Sequence, residues 1–270
     1  MMMSNLFSLI GKTAIVTGAL GLIGQKHCIA LNEAGAHVVV TDLDEQKCQD
    51  FAKHYLDFSI GHSLDVTKKE SVIKLRKDVM AKYKRIDVLV NNAAINDMLE
   101  DPKAAIEQSK FENYPLELWQ KSLDVNLTGV FLCSQVIGNQ MVNQGKGSII
   151  NIGSTYGVSA PNQHLYLDHE GVQTFYKPPA YPVTKAGVIM LTKYLAAYWG
   201  ESGIRVNTLS PGGVKNGQSD DFIEKYSAQT PLARMAEADD YMGALVFLAS
   251  DASLYMTGAN LIVDGGWTCW

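Results

Sequence analysis

The chain has 270 residues, of which 47% are hydrophobic and 19% charged, and this composition suits a folded protein with a large core rather than a disordered one. Its formal net charge of -5 offers no positive surface for nucleic acid or an anionic membrane, so we expect neither as a partner. The four cysteines include no C-x-x-C pair, which predicts reduced thiols. No apolar run reaches the roughly 18 residues of a membrane span, and MMMSNLFSLIGK lacks the pattern of a signal peptide. Together these features predict a cytoplasmic location.

Short β-branched runs alternate along the chain with longer helical patterns. The predicted strands are Thr13–Thr17, His37–Thr41, Ser59–Leu64, Ile86–Val90, Ser148–Ile152, Arg205–Leu209 and Asn260–Val263. The predicted helices are Leu22–Ala34, Glu45–Tyr55, Lys69–Tyr83, Leu116–Asn143, Pro182–Gly200 and Asp239–Ala249. Because the strands are continuous apolar runs and no linker divides the chain, the pattern predicts one α/β domain over residues 1–270, with a parallel sheet covered by helices on both faces.

A glycine-rich turn follows the first predicted strand. The sequence TAIVTGALGLIG runs from this strand into a helix, with glycines at Gly18, Gly21 and Gly24. Glycines let backbone N–H groups approach a pyrophosphate, and the helix N-terminus adds favourable partial charge. The turn therefore indicates a dinucleotide site.

The second predicted strand ends at an acidic residue, Asp42, which lies 24 positions after Gly18. A carboxylate there can accept hydrogen bonds from the adenosine ribose, whereas Asp44 is the better candidate for the cap of the next helix. A 2′-phosphate would be repelled by Asp42, Leu43 follows it, and no arginine lies in the turn or just after this strand. We therefore predict NAD(H) in preference to NADP(H).

Tyr181 and Lys185 are the one pair in the chain in which a lysine follows a tyrosine by four positions. Pro182 suits the first turn of a helix, and this spacing then places both side chains on one helical face. A phenol with a pKa near 10 is a poor base at neutral pH, but a neighbouring ammonium lowers that pKa. The spacing by itself fits equally a surface tyrosine beside a solvated lysine.

Other polar residues lie where a ligand site is expected. Ser154 directly follows a buried strand, at the edge where the carboxyl ends of parallel strands meet ligands. Asn126 lies inside a long predicted helix, in which asparagine is unfavourable unless it has a specific role. Asn91 and Asn92 close the fourth strand, and we expect a cofactor to supply partners for their amides.

The order of these motifs resembles that of the short-chain dehydrogenase/reductases, specifically the compact branch of about 250 residues. The resemblance covers nearly the whole chain and is carried by TGALGLIG, VVVTD, LDVT, NNAA, DVNLTG, INIGS, YPVTK, RVNTLSPGG and VDGG. It implies a Rossmann-type, doubly wound parallel sheet of about seven strands. It also implies an oxidoreductase that transfers a hydride between NAD(H) and a secondary alcohol or ketone of a small-molecule substrate.

The resemblance implies roles for four residues. Tyr181 would protonate or deprotonate the substrate oxygen, and Ser154 would hydrogen-bond that oxygen. Lys185 would hold the nicotinamide ribose and acidify Tyr181, and Asn126 would hold a water in a proton relay. The implied dinucleotide contacts are Gly18, Gly21, Leu22, Ile23, Gly24, Asp42, Leu43, Asp65, Val66, Asn92, Ala93, Ala94, Tyr181, Lys185, Pro211, Gly212 and Val214.

Two departures from the compact branch concern the turn and the substrate side. Gly21 replaces a glycine expected at Leu22, as in the extended branch that includes sugar-nucleotide epimerases and dehydratases. Ser154 and Tyr181 are 27 positions apart, more than the compact branch usually shows, because of an irregular insertion at about 159–179. Its aromatic and polar residues suit a sugar or polyol substrate. Its histidines and acids match no metal motif, so we predict no metal.

Assembly is predicted from two apolar helices and the tail. The helices around Asn126 and after Lys185 are apolar over more of their circumference than one sheet face requires. In the resembling family these helices form subunit contacts, and Trp267 and Trp270 are costly to expose at a free terminus. We expect a homotetramer, with a homodimer as the second choice.

Two other functions remain open at this point. An epimerase or dehydratase with tightly held NAD would fit Gly21 and would need no external NAD, although the NNAA and VDGG motifs argue for the compact branch. A non-catalytic dinucleotide-binding sensor would have no need of an acidified tyrosine.

Overall fold

The computed structural model describes residues 6–96 and 102–270, and the counts that follow refer to that part of the chain. The strands are β1 (Thr13–Thr17), β2 (His37–Asp42), β3 (Ile60–Ser63), β4 (Val88–Asn91), β5 (Gly147–Ile152), β6 (Ile204–Pro211) and β7 (Asn260–Val263). They form one parallel sheet in the order β3-β2-β1-β4-β5-β6-β7. The predicted α/β fold with a doubly wound sheet of seven strands is confirmed.

Helices connect the strands. They are α1 (Leu22–Glu33), α2 (Glu45–Tyr55), α3 (Lys69–Tyr83), α4 (Pro102–Ser109), α5 (Leu116–Leu123), α6 (Gly129–Cys133), α7 (Asn139–Gln144), α8 (Ala180–Trp199), α9 (Asp220–Ala228) and α10 (Met242–Ala249). Two π-helical segments, Asp124–Thr128 and Ser134–Gly138, join α5, α6 and α7 into one helical rod. Within residues 6–96 and 102–270, none of the helices combines the length and apolarity that crossing a membrane requires.

The sheet is buried on both faces because neighbouring residues of each strand enter different cores. In β1, Val16 belongs to the core beneath α1 and α10, whereas Ile15 belongs to the core beneath α3 and α8. All five residues of β1 are buried, as its unbroken apolar sequence predicts. Each fully buried aliphatic side chain contributes about 1.5–3 kcal/mol, so this central strand is a major source of stability.

The helix predictions were wrong in three places. α4 and α9 were not predicted, because each is short and its polar residues mask the apolar periodicity. The helix expected from Asp239 begins only at Met242, since Asp240 instead binds Arg234 at 2.6 Å and accepts the Glu237 backbone N–H at 2.8 Å. Asp44 caps α2 as expected, accepting the Lys47 N–H at 3.1 Å.

The strand order reverses direction at β1, which lies between β2 and β4. Connections from neighbouring strands therefore leave on opposite sides, and a crevice opens beyond their carboxyl ends. The glycine turn follows β1, and Ser154 follows β5. The topology thus brings the sequence-predicted residues to one edge of the sheet.

Candidate active site

A cleft of about 860 Å³ opens at the carboxyl ends of the strands. Every residue predicted to contact the dinucleotide lines it, with the exception of Lys185. Ser154 also lines it, whereas Asn126 does not. The structure therefore brings most of the sequence-predicted residues together in one cleft. Asn126 and Lys185, two of the four residues with a predicted catalytic role, lie outside its lining.

The glycine turn is packed too tightly for side chains. Gly18 has a φ of +58°, and a Cβ there would lie 2.6 Å from the Cα of Ala93. A Cβ on Gly24 would lie 2.4 Å from the Gly18 carbonyl oxygen. Asn92 holds the turn in place by donating from Nδ2 to the carbonyls of Thr17 and Gly18, at 2.9 and 2.8 Å. The start of α1 is thereby held against β1, with its N-terminus at the cleft.

The N-cap position of α1 is occupied by Gly21, which supplies no capping side chain. The first N–H groups of a helix then suit an anionic ligand, and Gly21, Leu22 and Ile23 all line the cleft. The turn and the helix N-terminus together fit the pyrophosphate of a dinucleotide.

Two carboxylates lie at the carboxyl ends of β2 and β3. Asp42 accepts the Leu20 N–H at 3.1 Å and the Leu43 N–H at 2.8 Å, which places its carboxylate beside the glycine turn. Asp65 accepts the Thr67 hydroxyl at 2.6 Å, and this bond is the main reason that its pKa is lowered. Both therefore present anionic oxygens to the rim of the cleft.

Ser154 connects the β5 end to Tyr181. Its Oγ accepts the Tyr156 N–H at 3.1 Å and so caps the 3₁₀ turn Thr155–Gly157. The Ser154 hydroxyl also lowers the pKa of the Tyr181 phenol, and both side chains line the cleft. Because the Ser154 oxygen accepts a backbone N–H, its hydroxyl hydrogen can donate to an oxygen in the cleft.

Lys185 lies one turn further along α8, as the sequence spacing predicts. Its Nζ is buried, donates to the Ile152 carbonyl at 2.6 Å and lies 5.6 Å from the centroid of the Tyr181 ring. Burial lowers the Lys185 pKa to about 8. Burial raises the pKa of Tyr181, and Ser154 opposes that rise. Here the Lys185 ammonium donates to the Ile152 carbonyl, and its acidification of Tyr181 stays a prediction.

Asn126 lies in the first π-helical segment and is fully buried. Its Oδ1 accepts the Ile95 N–H and its Nδ2 donates to the Ile95 carbonyl, both at 2.8 Å. Nδ2 also lies 3.3 Å from the Thr184 hydroxyl of α8. The side chain thus ties the segment after β4 to the helix that carries Tyr181.

The nitrogen of the Asn91 amide finds its partners inside the protein. The Asn91 Nδ2 donates to Asn151 Oδ1 at 2.8 Å and to the Ser134 hydroxyl at 3.1 Å, whereas Oδ1 has no partner among the described residues. Asn151 in turn donates to the Thr192 hydroxyl at 2.8 Å. This buried polar network joins β4 and β5 to the surrounding helices.

The insertion contributes to the wall of the cleft. It contains the 3₁₀ turn Gln163–Tyr166, and Tyr166 and Lys177 line the cleft. Tyr156 also lines the cleft, and burial raises the pKa of Tyr166 to about 12. The sequence argument also missed the lining residues Phe222, Tyr226 and Met235. The first two lie on the unpredicted helix α9, so no motif marked them.

The C-terminal tail packs partly against its own chain. Trp267 stacks on Tyr226 with ring centroids 4.2 Å apart, and the subunit contact expected for the tail stays a prediction. Trp270 is exposed. No group of three or more potential metal-binding side chains occurs in the part of the chain that the structure describes.

Comparison with known proteins identifies the family. A family model described as enoyl-(acyl carrier protein) reductase matches residues 18–268. The chain is also 32% identical to an NAD-dependent glycerol dehydrogenase of Listeria innocua, over 97% of this chain and 96% of the relative. This chain belongs to the short-chain dehydrogenase/reductase family. As a member of this family, it is an NAD(P)-dependent oxidoreductase that acts on CH–OH groups.

Two further relatives share its full length. A 2-dehydro-3-deoxy-D-gluconate 5-dehydrogenase of Bacillus subtilis is 37% identical over 97% of this chain and 96% of the relative. A gluconate 5-dehydrogenase of Burkholderia cenocepacia, solved in complex with NADP and tartrate, is 30% identical with a TM-score of 0.86 and covers 99% of each chain. These likenesses favour a dehydrogenase over the epimerase, dehydratase and sensor alternatives.

Proposed function

We propose that this enzyme is an NAD(H)-preferring dehydrogenase that oxidises a secondary hydroxyl of a sugar or polyol derivative and reduces the corresponding ketone. The observation that carries the proposal is that Ser154 and Tyr181 line the same cleft as the glycine turn, at the carboxyl ends of the strands. The names of the relatives, which act on glycerol and on gluconate derivatives, support this substrate class.

Each residue of the site has its own role in the proposed reaction. Bound NAD supplies the hydride acceptor. Tyr181 takes the proton of the substrate hydroxyl at its phenol oxygen, and Ser154 donates a hydrogen bond to the developing oxyanion. Lys185, whose Nζ donates to the Ile152 carbonyl, would hold the nicotinamide ribose and lower the pKa of Tyr181 through its charge. Asn126 is a positioning residue in this proposal, because its side chain is bound to Ile95.

Cofactor binding is assigned to the remaining cleft residues. Asp42 would accept hydrogen bonds from the adenosine ribose hydroxyls, and its charge would disfavour a 2′-phosphate. Asp65 and Val66 would hold the adenine, and Pro211 and Gly212 the nicotinamide. The other assigned contacts are Gly18, Gly21, Leu22, Ile23, Gly24, Leu43, Asn92, Ala93, Ala94 and Val214.

The remaining parts of the proposal concern the insertion, assembly and location. The insertion at 159–179, within one domain of residues 1–270, forms the wall of the substrate site. The exposed side chains of Met190, Tyr194 and Tyr198 on α8 support a homotetramer, with a homodimer second. The free, mostly buried thiols support a cytoplasmic location.

The test is a screen of sugars, polyols, their acids and their phosphates, in which turnover is measured as the appearance of NADH absorbance. We expect turnover with a subset of these substrates, and none of it in a Tyr181→Phe variant. Product that forms without net NADH, such as an epimer, would contradict a dehydrogenase. Unchanged activity of Tyr181→Phe would contradict the assigned acid/base.

A further inference from the structure

Tyr226 of α9 is bonded to the loop that follows β6. Its hydroxyl oxygen accepts the Gly213 N–H at 2.6 Å, and Gly213 directly follows Pro211 and Gly212, which are assigned to the nicotinamide. A Cβ on Gly213 would lie 2.6 Å from Cζ of Tyr226, so the glycine permits this close contact. Tyr226 lies outside every motif that marks the family. Its phenol is thus held against a loop of the proposed active site.

The ring of Tyr226 is fixed by aromatic neighbours. It stacks on Trp267 with ring centroids 4.2 Å apart and on Phe222 with centroids 6.1 Å apart. Together with Leu165 of the insertion it belongs to a small core that is separate from the two cores of the sheet. Tyr226 is only 3% exposed, yet it lines the cleft beside Phe222. The hydroxyl is therefore positioned by α9, the insertion and the tail.

The helix that carries Tyr226 is itself attached to the insertion. Lys225 donates to the Leu167 carbonyl at 2.6 Å and pairs with Asp221 at 2.6 Å. Tyr166 of the insertion packs against Phe222 with ring centroids 5.6 Å apart. A polar group that is held before its ligand arrives loses little entropy on binding. Such a group can discriminate between ligands that differ by one oxygen.

The hydrogen of the Tyr226 hydroxyl can serve a ligand. A phenol oxygen that accepts an N–H still has its own hydrogen to donate. In the part of the chain that the structure describes, the partner of this hydroxyl is the Gly213 N–H, which is itself a donor. Burial raises the pKa of Tyr226 to about 12, so the phenol keeps its hydrogen at neutral pH. A buried O–H group is unfavourable until it has an acceptor, which an oxygen of a bound ligand would supply.

We propose that Tyr226 is a specificity residue whose hydroxyl donates a hydrogen bond to a second oxygen of the substrate, so that the enzyme favours vicinal diols over alcohols with one hydroxyl. This inference rests on the proposed dehydrogenase function and narrows its substrate class. The reacting oxygen is already served by Ser154 and Tyr181 in that proposal, which leaves the third hydroxyl for an oxygen on a neighbouring carbon. The insertion and α9 hold the phenol, and this favours a substrate oxygen over an oxygen of the cofactor.

The test compares substrates that differ by one hydroxyl. The pairs are 2,3-butanediol with 2-butanol and 1,2-cyclohexanediol with cyclohexanol, and their oxidation is measured as the appearance of NADH absorbance. Acetoin and 2-butanone repeat the comparison in the direction of reduction. We expect the wild-type kcat/KM to favour the compound with two oxygens by about tenfold or more in at least one pair. In Tyr226→Phe that ratio falls about fivefold or more, because the second oxygen loses its donor.

Tyr241→Phe is the matched control. The Tyr241 hydroxyl also bonds to the loop after β6, since it donates to the Gly212 carbonyl at 3.3 Å, and Tyr241 is also buried. It lies outside the lining of the cleft, however. We expect Tyr241→Phe to leave the ratio unchanged. Phenylalanine at position 226 keeps the ring that stacks on Trp267, and thermal melting confirms that both variants are folded.

The outcomes separate this inference from the proposed function. Equal kcat/KM for diols and single alcohols, or a ratio that Tyr226→Phe leaves unchanged, would overturn the role of Tyr226 and leave the dehydrogenase intact. A weaker Kd for NADH in Tyr226→Phe without a change of ratio would show that the hydroxyl serves the cofactor, which would also overturn the inference.

Binding decides the matter if none of these alcohols is turned over. Ligand-detected NMR then measures the Kd of D-threitol, a vicinal diol, for the NAD-loaded wild type and both variants. We expect Tyr226→Phe to weaken this binding about fivefold or more and Tyr241→Phe to leave it unchanged. Equal binding to the wild type and Tyr226→Phe, or no binding to the wild type, overturns the inference. The proposed function fails separately, if its wider screen finds no substrate.

Discussion

Ser154 and Tyr181 line the same cleft at the carboxyl end of β5, although 27 positions separate them in sequence. The Ser154 oxygen accepts the Tyr156 N–H at 3.1 Å, which leaves its hydroxyl hydrogen as a donor toward the cleft. The Ser154 hydroxyl also opposes the rise of the Tyr181 pKa that burial causes. In the proposed reaction this serine is the donor to the substrate oxygen and tunes the acid/base.

Removal of that donor should move the pH dependence. In Ser154→Ala the pKa of Tyr181 rises further, so the pH at which alcohol oxidation becomes efficient shifts upward. We expect kcat/KM near neutral pH to fall about 10- to 100-fold, as for loss of a donor to an oxyanion. The measurement is a pH–rate profile of kcat/KM. Ser159→Ala, on the same loop but bonded to the Thr155 carbonyl, should leave the midpoint unchanged.

Loss of the phenol oxygen should separate chemistry from binding. Tyr181→Phe keeps the ring against the neighbouring ammonium groups but removes the proton acceptor. We expect turnover to fall by about 10²–10⁴ while the Kd for NADH changes less than twofold. Stopped-flow rates and NADH fluorescence titration measure the two effects. A parallel loss of both would indicate that Tyr181 is structural.

The charge of Asp42 should control cofactor choice. Asp42→Asn keeps one oxygen, which can accept either the Leu20 or the Leu43 N–H, and removes the repulsion of a 2′-phosphate. We expect the ratio of kcat/KM for NADP over NAD to rise about tenfold, which corresponds to about 1.4 kcal/mol. Near-equal efficiency of the wild-type enzyme with both cofactors would show that the preference for NAD(H) is wrong.

His27 of α1 should make the fold sensitive to acid. It is fully buried, neither ring nitrogen has a hydrogen-bond partner among the described residues, and burial lowers its pKa from 6.5 to about 3. Between these pH values the unfolded chain binds the His27 proton and the folded chain does not, so stability falls as the pH falls.

The size of this effect is on the order of 4 kcal/mol when the pH reaches about 3. Urea unfolding across that range should show a shallower pH dependence in His27→Leu than in the wild type. The same substitution at the exposed His54 should leave the slope as it is. A His27→Leu curve parallel to the wild type would refute the assignment.

The exposed aromatic surface of α8 should hold subunits together. Tyr194 and Tyr198 are 62% and 67% exposed and stack with ring centroids 5.9 Å apart. We expect light scattering to give the mass of four chains for the wild type, and Tyr198→Glu to yield smaller species, because the charge would be buried at the contact. Tyr255→Glu, at another exposed tyrosine, should have no effect. A monomeric wild type at micromolar concentration would contradict the assembly.

Much of the fold and the site could be predicted because their signals are local. A strand followed by a glycine turn and a helix is one continuous stretch, and the i,i+4 spacing of Tyr181 and Lys185 places them on a common helical face. The alternation of strands and helices also dictates a parallel sheet, since each helix must return the chain to the same edge. These features follow from backbone geometry and hydrophobic periodicity alone.

The sequence by itself thus determined the architecture, the glycine turn and the choice of Asn126, Ser154, Tyr181 and Lys185 as the proposed catalytic residues. Only the tertiary structure decided what those side chains touch: the Asn91 amide belongs to an internal network, Lys185 is bound to a carbonyl, and Tyr181 is made less acidic by burial. It also brought Lys177 to Asn96, 81 positions away. The reason is physical, since hydrogen bonding and desolvation depend on neighbours that folding supplies from distant parts of the chain.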